Sequence, residues 1–381
     1  MAPWVHTAVA VNQALATCCA APAQEAHTVD AFDQWWTGDQ MAQLRKDLVS
    51  GHRAANCEKC WKDERENKPS LRQNYNNMFS RYVNFDLLKQ NLKNNNYHNI
   101  ARPVTWELTV GNLCNIKCIM CNPSLSDKIQ HEILSNAHAF VDFPVSVKKS
   151  QMAHIKNWTV LPTGQKLFSD ILQSARWIKL QGGEALANRN IRELLEDVDG
   201  TQTVLSITTN GTILDKQLIS VLKNFEKVQV SLSIEAAGSA NDVIRYGSQW
   251  QDIQNTISVL QTMPNVELQL NHVLQATSVL FLPDVVTYAE DQNIHLNLIP
   301  LYKPKYLSLH VVAPELISQM LDQIKNIKID HPKNNYIKLY VQQFVQGVNF
   351  DVELAAEFVK YVTVLDSVRE VKLTPLISKL L

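Results

Sequence analysis

One loop near the middle of the chain decides its fold: Gly111-Asn112-Leu113-Cys114-Asn115-Ile116-Lys117-Cys118-Ile119-Met120-Cys121-Asn122. Its cysteines follow the spacing C-x-x-x-C-x-x-C. Three thiolates on a short loop can bind three irons of an iron–sulfur cube, and one iron is then left without a protein ligand. An open iron can take a ligand from outside, which makes it a place for chemistry. A zinc site and three buried free thiols are the open alternatives, since spacing alone does not separate them from a cluster.

Composition sets the class of protein. The chain has 381 residues, of which 45% are hydrophobic, so it can bury a large core and is expected to hold more than one domain. Its net charge of −1 gives no case for binding nucleic acid or an anionic membrane. The apolar start lacks a basic region and is interrupted by polar residues, as a signal peptide would not be. Seven clustered cysteines indicate metal binding rather than disulfides, and we expect a cytoplasmic location.

Strand-like and helix-like runs alternate along the central part of the chain. The predicted strands are Val104–Val110, Trp177–Leu180, Val204–Thr208, Val228–Ile234, Val266–Val273 and His295–Ile299. The helical patterns between them include Ile191–Val198, Lys216–Lys223, Ile253–Thr262 and Leu282–Gln292. Such alternation predicts an α/β fold with a parallel sheet, which can curve into a full or partial barrel. Sites in such folds lie at the carboxyl ends of the strands, and Cys114 directly follows the first strand.

Small polar motifs follow the later strands. Adjacent glycines after the second strand let a ligand approach the backbone, and the carboxylate beside them could hold an ammonium group. Hydroxyl and amide side chains after the third strand and on the fourth can bind a ribose or a carboxylate, and an arginine suits a carboxylate through its fork geometry. Ordinary turn chemistry and a surface arginine are the alternatives. The residues are Gly182, Gly183, Glu184, Thr209, Asn210, Ser231, Ser233 and Arg245.

Together and in this order, the motifs resemble those of the radical S-adenosylmethionine (radical SAM) superfamily over residues 104 to 301. The resemblance implies a partial (β/α)6-type barrel, a 4Fe-4S cluster on Cys114, Cys118 and Cys121, and S-adenosylmethionine (SAM) bound by the polar residues above. It further places Met120 and Val273 at the adenine. Two positions depart from the usual pattern: Ala185 replaces a proline, and Glu235 replaces an aspartate.

The resemblance also implies an activity. Reductive cleavage of SAM gives a 5′-deoxyadenosyl radical, which abstracts hydrogen from a substrate, with an electron donor such as flavodoxin or ferredoxin. The leading substrate is a side chain of a peptide or protein, and the alternative is a small metabolite such as a sugar or nucleotide derivative. The rival of another class is a non-catalytic protein that binds metal through cysteines or acts as a regulator, and that would not bind SAM.

The N-terminal segment carries a second cysteine set. Pro3-Trp4-Val5-His6, Cys18-Cys19, Cys57-x-x-Cys60 and Ser70-Leu71-Arg72 resemble the auxiliary-cluster module of the twitch or SPASM-like subgroup. That resemblance implies a second 4Fe-4S cluster on Cys18, Cys57 and Cys60. Met1 stands where relatives often carry a further cysteine, so the fourth ligand is open: it is absent, or it is Cys19 or a non-cysteine group. A zinc knuckle or metal-free thiols are the alternatives.

The sequence divides into three predicted segments. Residues 1–92 form the auxiliary segment, residues 103–301 the core barrel and residues 302–381 a helical extension. The first segment is expected to contain a β-hairpin around Asn12-Gln13, a helical Ala31–Ser50, and a polar helix that runs from the Cys57-x-x-Cys60 pair through Arg72. The linker Lys93–Asn99 follows it. Two helical stretches are predicted in the extension, over Glu315–Ile327 and Val352–Val371.

Overall fold

The computed structural model describes residues 2–84, 88, 90, 97–98, 100–141 and 157–380. Its strands, in chain order β1 to β11, are His6–Val9, Ala14–Ala16, Gln24–Thr28, Thr105–Thr109, Lys117–Cys118, Trp177–Gln181, Val204–Thr209, Lys227–Ser233, Arg245–Tyr246, Val266–Leu274 and His295–Pro300. All six strands predicted for the central part are therefore present, with ends that differ by at most one residue.

Helices separate most of these strands. In chain order α1 to α16 they are Ala2–Val5, Phe32–Thr37, Asp39–Val49, Glu58–Arg65, Leu71–Phe79, Asp127–Ser135, Pro162–Ser174, Arg189–Glu196, Lys216–Lys223, Ser239–Ile244, Trp250–Gln261, Ala276–Val279, Leu282–Asp291, Pro314–Asn326, Ile337–Gln346 and Val352–Val368. No helix among the described residues is both long enough and apolar enough to cross a lipid bilayer.

The chain forms two compact units. The first comprises Met1–Asn112, Ala153–Ile207 and Gln217–Val228. Within it, β4 pairs in parallel with both β1 and β6, and β6 pairs in parallel with β7. β1 also pairs antiparallel with β2, and Gln13 between them has a positive φ of 71°, which closes the turn without glycine. The hairpin predicted at Asn12-Gln13 is therefore present, and it extends the parallel sheet at β4.

The second unit comprises Leu113–Met152, Thr208–Lys216 and Gln229–Leu381. Its strands β10 and β11 pair in parallel, with Asn271 opposite Asn297. Along β8, buried and half-buried residues alternate, so that Val230 and Leu232 lie in the core while Ser231 and Ser233 lie on the other face. Parallel strands separated by helices confirm the α/β class that the sequence predicts.

Three details of the prediction were wrong. The helical Ala31–Ser50 is broken at Gly38, and the polar helix from the Cys57-x-x-Cys60 pair ends at Arg65, before the positive-φ residue Asn67 and Pro69. A third C-terminal helix, α15, was missed although its buried Ile337, Val341 and Val345 recur every four residues. Cys18 and Cys19 lie in the bend and turn that follow β2. Most of the predicted linker Lys93–Asn99 lies outside the described residues, and the three-segment division remains a prediction.

Candidate functional site

The cysteine loop lies in the second unit, and its thiols are withdrawn from solvent. Cys114 and Cys118 are 7% and 8% exposed and share a core cluster with Ile116. Met120 and Cys121 are partly buried and pack against the same cluster. The sequence predictions for this loop therefore come together in one place, with its three cysteines and the methionine side by side.

The thiols of the loop influence one another electrostatically. Burial raises the pKa of Cys121 to about 12, and the nearby Cys118 and Cys114 raise it as well. Burial also raises the pKa of Cys118, although Arg245 opposes the rise. The thiols are therefore protonated at neutral pH. Metal binding would require them to lose their protons, because the thiolate is the metal-binding form.

Arg245 lies beside this loop. It is directly opposite Cys118 in the two-stranded β5–β9 ladder. Its Nη1 donates to Glu235 Oε1 over 3.3 Å, and the backbone N–H of Val273 donates to Glu235 Oε2 over 3.1 Å. Burial raises the pKa of Glu235 to about 8, with Arg245 opposing it. The Arg245 Nε is buried with no partner among the described residues, so this guanidinium keeps a donor for an anionic group.

Three of the predicted polar site residues form hydrogen bonds within the second unit. Asn210 donates from Nδ2 to Asn115 Oδ1 over 2.8 Å, which connects the end of β7 to the cysteine loop. Thr209 Oγ1 accepts from the N–H of Gly211 over 3.2 Å and so closes a turn. Ser231 Oγ accepts from Gln269 Nε2 over 2.8 Å. Ser233 and Val273 are half-buried on their strands.

Several residues that support the loop were missed by sequence reasoning. The backbone N–H of Cys114 donates to Asp127 Oδ1 over 2.8 Å, where Asp127 begins α6. Glu132 on the same helix forms ion pairs with Lys117 at 2.7 Å and with Arg369 at 2.7 Å. The Ser126-Asp127 pair is a helix-start signal that could have located α6. Nothing local marks Arg369, which is more than 200 residues away in sequence.

The paired glycines lie in the first unit, close to Gly111 of the same unit. The N–H of Gly183 donates to the carbonyl of Gly111 over 3.2 Å. Gly182 has a φ of +152°, and a Cβ there would lie 2.5 Å from the same carbonyl oxygen. Only glycine fits this approach without a backbone shift. Glu184 is 1% exposed, and its Oε1 accepts from the N–H of Leu186 over 3.1 Å.

The N-terminal cysteines surround a cavity of about 180 Å³ in the first unit. Cys18, Cys57 and Cys60 all line it, and Cys19 is not among its lining residues. Burial raises the pKa of Cys57 to about 11, and Cys18 and Cys60 raise it further. One water occupies about 30 Å³ of liquid, so this space has room for a polyatomic group. The structure thus brings together the three cysteines that the sequence selected.

Cys19 belongs to a different set of contacts. Its Sγ lies 3.3 Å from Tyr75 Oη, and that hydroxyl donates to Glu107 Oε2 over 2.9 Å. Glu107 is 2% exposed and forms an ion pair with Lys179 at 2.8 Å on the neighbouring strand. Burial raises the pKa of Glu107, but Lys179, His6 and Tyr75 together lower it by more, so the net shift is downward. Tyr75 therefore joins the cavity wall to a charged carboxylate on β4.

Both cysteine sets offer sulfur donors. Among the described residues, no three histidine, cysteine or carboxylate side chains form a group that could hold a single metal ion. Thiols are soft donors that select iron–sulfur clusters, zinc or copper(I), so the chemistry of both cysteine sets agrees with iron–sulfur binding.

Comparison with known proteins bears on the family. No protein-family model matches the chain. A GTP 3′,8-cyclase of Desulforamulus reducens is 25% identical over 159 residues, which cover 40% of this chain and 42% of the cyclase. A probable GTP 3′,8-cyclase of Methanocaldococcus jannaschii is 22% identical over 198 residues, or 50% of this chain and 57% of that protein. GTP 3′,8-cyclases are radical SAM proteins.

The chain is therefore similar in sequence to radical SAM proteins. It spans about half the length of these two cyclases. Among solved structures, native anSMEcpe with bound AdoMet has a TM-score of 0.37 at 15% identity and covers 65% of this chain and 63% of that one. Streptococcus suis SuiB has a TM-score of 0.39 at 15% identity, with 87% and 65% covered. Both TM-scores are too low to support an argument about function.

Proposed function

We propose that the chain is a radical SAM enzyme whose Cys114, Cys118 and Cys121 bind a 4Fe-4S cluster with one open iron for SAM. The observation that supports this most is the buried loop on which three thiols stand beside an arginine with an unpartnered Nε. When bound, the reduced cluster would supply the electron that cleaves SAM to a 5′-deoxyadenosyl radical able to take hydrogen from a substrate.

The residues of the second unit would hold the cofactor. Arg245 would pair with its carboxylate, because a guanidinium fork matches a carboxylate and Glu235 fixes its orientation. Met120 and Val273 would pack on adenine, while Ser231, Ser233, Thr209 and Asn210 would lie near the ribose. For Gly182, Gly183 and Glu184, the proposed contact with the ammonium group rests on the sequence resemblance.

We further propose a second 4Fe-4S cluster on Cys18, Cys57 and Cys60. The roughly 180 Å³ cavity that these thiols line is the supporting observation. It also favours Cys18 over Cys19 as the ligand, since Cys19 contacts Tyr75 instead. This module would make the chain a twitch or SPASM-like member of the superfamily.

Two substrate classes are proposed. The first is a side chain of a peptide or protein, which follows from the resemblance of the N-terminal segment to auxiliary-cluster enzymes. The second is a nucleotide or another small metabolite, and the similarity to GTP 3′,8-cyclases favours it. Because the fold alone does not determine the substrate, each class needs its own assay.

One anaerobic experiment tests the enzyme activity. The full chain is reconstituted with iron and sulfide, reduced in the presence of SAM, and analysed for 5′-deoxyadenosine by mass spectrometry. We expect product from the wild type and none after Cys114→Ala, Cys118→Ala and Cys121→Ala together. Replacing Cys57 and Cys60 by Ala should remove about half of the iron and retain the first cluster. A well-formed cluster without any 5′-deoxyadenosine would favour the non-catalytic metal-binding alternative.

A further inference from the structure

The guanidinium side chain of Arg72 lies in the wall of the N-terminal cavity, which Lys59 also lines. Arg72 lines the cavity together with Cys18, Cys57 and Cys60. Its guanidinium lies 4.8 Å from the centre of the Trp61 ring, which also lines the cavity. The thiols of Cys60 and Cys57 act electrostatically on Arg72, so its charge lies within interaction range of these two ligands. A positive group therefore faces the thiols from one side.

A carboxylate holds this guanidinium in position from behind. Arg72 Nε donates to Glu64 Oε1 over 2.9 Å, and Nη2 donates to Glu64 Oε2 over 2.7 Å. Ser70 Oγ donates to the same carboxylate over 2.5 Å. Hydrogen bonds from Arg72 and Ser70 lower the pKa of Glu64, so it is ionised at neutral pH. Glu64 is not a lining residue, which makes it the more distant charge of the pair.

We infer that the Arg72–Glu64 pair sets the reduction potential of the second cluster, with Arg72 raising it and Glu64 moderating that effect. The inference rests on the second cluster proposed above. Reduction adds one negative charge to a cluster, and a cation beside its thiolates stabilises the reduced form. A carboxylate behind the cation has the opposite influence, and it is weaker because its charge is farther away.

Substitutions of the two partners should shift the reduction potential in opposite directions. This distinguishes an effect of charge from an effect of structural damage. Arg72→Gln removes the cation and should shift the midpoint potential to a more negative value. The ratio of reduced to oxidised cluster at a fixed potential should fall about tenfold, which corresponds to ~59 mV for one electron. Glu64→Gln removes the anion and should shift the potential to a more positive value by a smaller amount. Both substitutions break the same ion pair.

The measurement uses the full chain with Cys114, Cys118 and Cys121 replaced by Ala, so that only the second cluster gives a signal. Its potential is followed by a redox titration with electron paramagnetic resonance. Arg72→Lys keeps the positive charge and should retain most of the wild-type potential. Arg65→Gln is the matched control: it breaks an exposed ion pair with Glu58 on the same helix as Glu64, away from the cavity lining, and should leave the potential unchanged.

Each possible result either supports or overturns the inference about the Arg72–Glu64 pair. Opposite shifts for Arg72→Gln and Glu64→Gln support the inference. Shifts in the same direction would show a structural disturbance, and the absence of any shift would show that the charges are screened; both overturn it. If the triple-alanine chain binds no iron at all, the second cluster itself is wrong. That outcome is read from iron analysis before any potential is measured, so the two failures are distinguishable.

Discussion

The hydroxyl of Tyr361 donates a hydrogen bond to the carbonyl oxygen of Ile119 over 2.9 Å. Tyr361 lies on the C-terminal helix Val352–Val368, and Ile119 lies between the second and third cysteines of the loop. Tyr361 is 6% exposed, so this bond is shielded from water. The C-terminal extension thus supports the cysteine loop from within the same unit.

Tyr361→Phe should weaken this support while leaving the ring in place. Loss of the hydroxyl leaves the carbonyl of Ile119 without this donor, which we expect to lower the free energy of unfolding by about 1–2 kcal/mol. The loop should then release iron faster to a chelator, measured by the absorbance of the reconstituted protein. Tyr340→Phe, on the helix Ile337–Gln346, is the control and should release iron at the wild-type rate.

Arg369 and Glu132 form a buried bidentate pair, with Nε–Oε1 of 3.1 Å and Nη2–Oε2 of 2.7 Å. Arg369→Met should lower the free energy of unfolding by about 3 kcal/mol, because Glu132 keeps a buried charge that Lys117 only partly compensates. Adding Glu132→Gln removes that charge and should recover much of the loss. Equal instability of the single and double variants, measured by urea unfolding, would contradict a charge-based effect.

Gly182 should be intolerant of any side chain. Gly182→Ala would place a Cβ 2.5 Å from the carbonyl oxygen of Gly111, at a φ that L-residues rarely adopt. We expect a loss of about 2–3 kcal/mol in unfolding free energy from the clash and the strain together. Gly51→Ala is the matched control, because Gly51 has a φ of +78° but nothing within 4 Å of a Cβ. It should cost only about 1 kcal/mol, so similar losses would show that the contact with Gly111 is unimportant.

The sequence predicted those parts of the molecule that depend on local pattern. The strands β8 and β10 were predictable because their runs are rich in β-branched and apolar residues, and the ligand loop was predictable because its cysteines are close in sequence. The supports of that loop were not predictable, because Tyr361 and Arg369 reach Ile119 and Glu132 from more than 200 residues away. Such contacts depend on how the C-terminal helix packs, and no spacing rule encodes that.

Short breaks were missed for a different reason. The sequence pattern predicts one helical stretch over Ala31–Ser50. In the structure the helix is interrupted at Gly38, whose backbone is extended, with a φ of −77° and a ψ of 171°. A single glycine within a helical pattern is compatible with both a continuous helix and a break. The helix that ends before Gly38 is packed in the core, since its Trp35 and Trp36 are 2% and 1% exposed.

The acid stability of the protein should depend on His6. This residue is fully buried, stacks on Phe79 with ring centres 4.8 Å apart, and has Nδ1 3.1 Å from Thr105 Oγ1. Burial lowers its pKa from 6.5 to about 4, although Glu107 opposes the shift. The unfolded chain therefore binds a proton at a higher pH than the folded chain does. The stabilisation is fully present above pH 6.5 and is lost as the pH falls towards 4.

A shift of that size corresponds to about 3 kcal/mol lost between pH 6.5 and pH 4. His6→Phe cannot take up this proton, so its unfolding free energy should fall less steeply over the same range. The comparison is made by urea unfolding at half-unit steps of pH on the metal-free chain. His52→Phe is the control, because the His52 side chain is 75% exposed, and it should keep the wild-type slope. If His6→Phe also kept that slope, His6 would not be the group whose protonation destabilises the fold in acid.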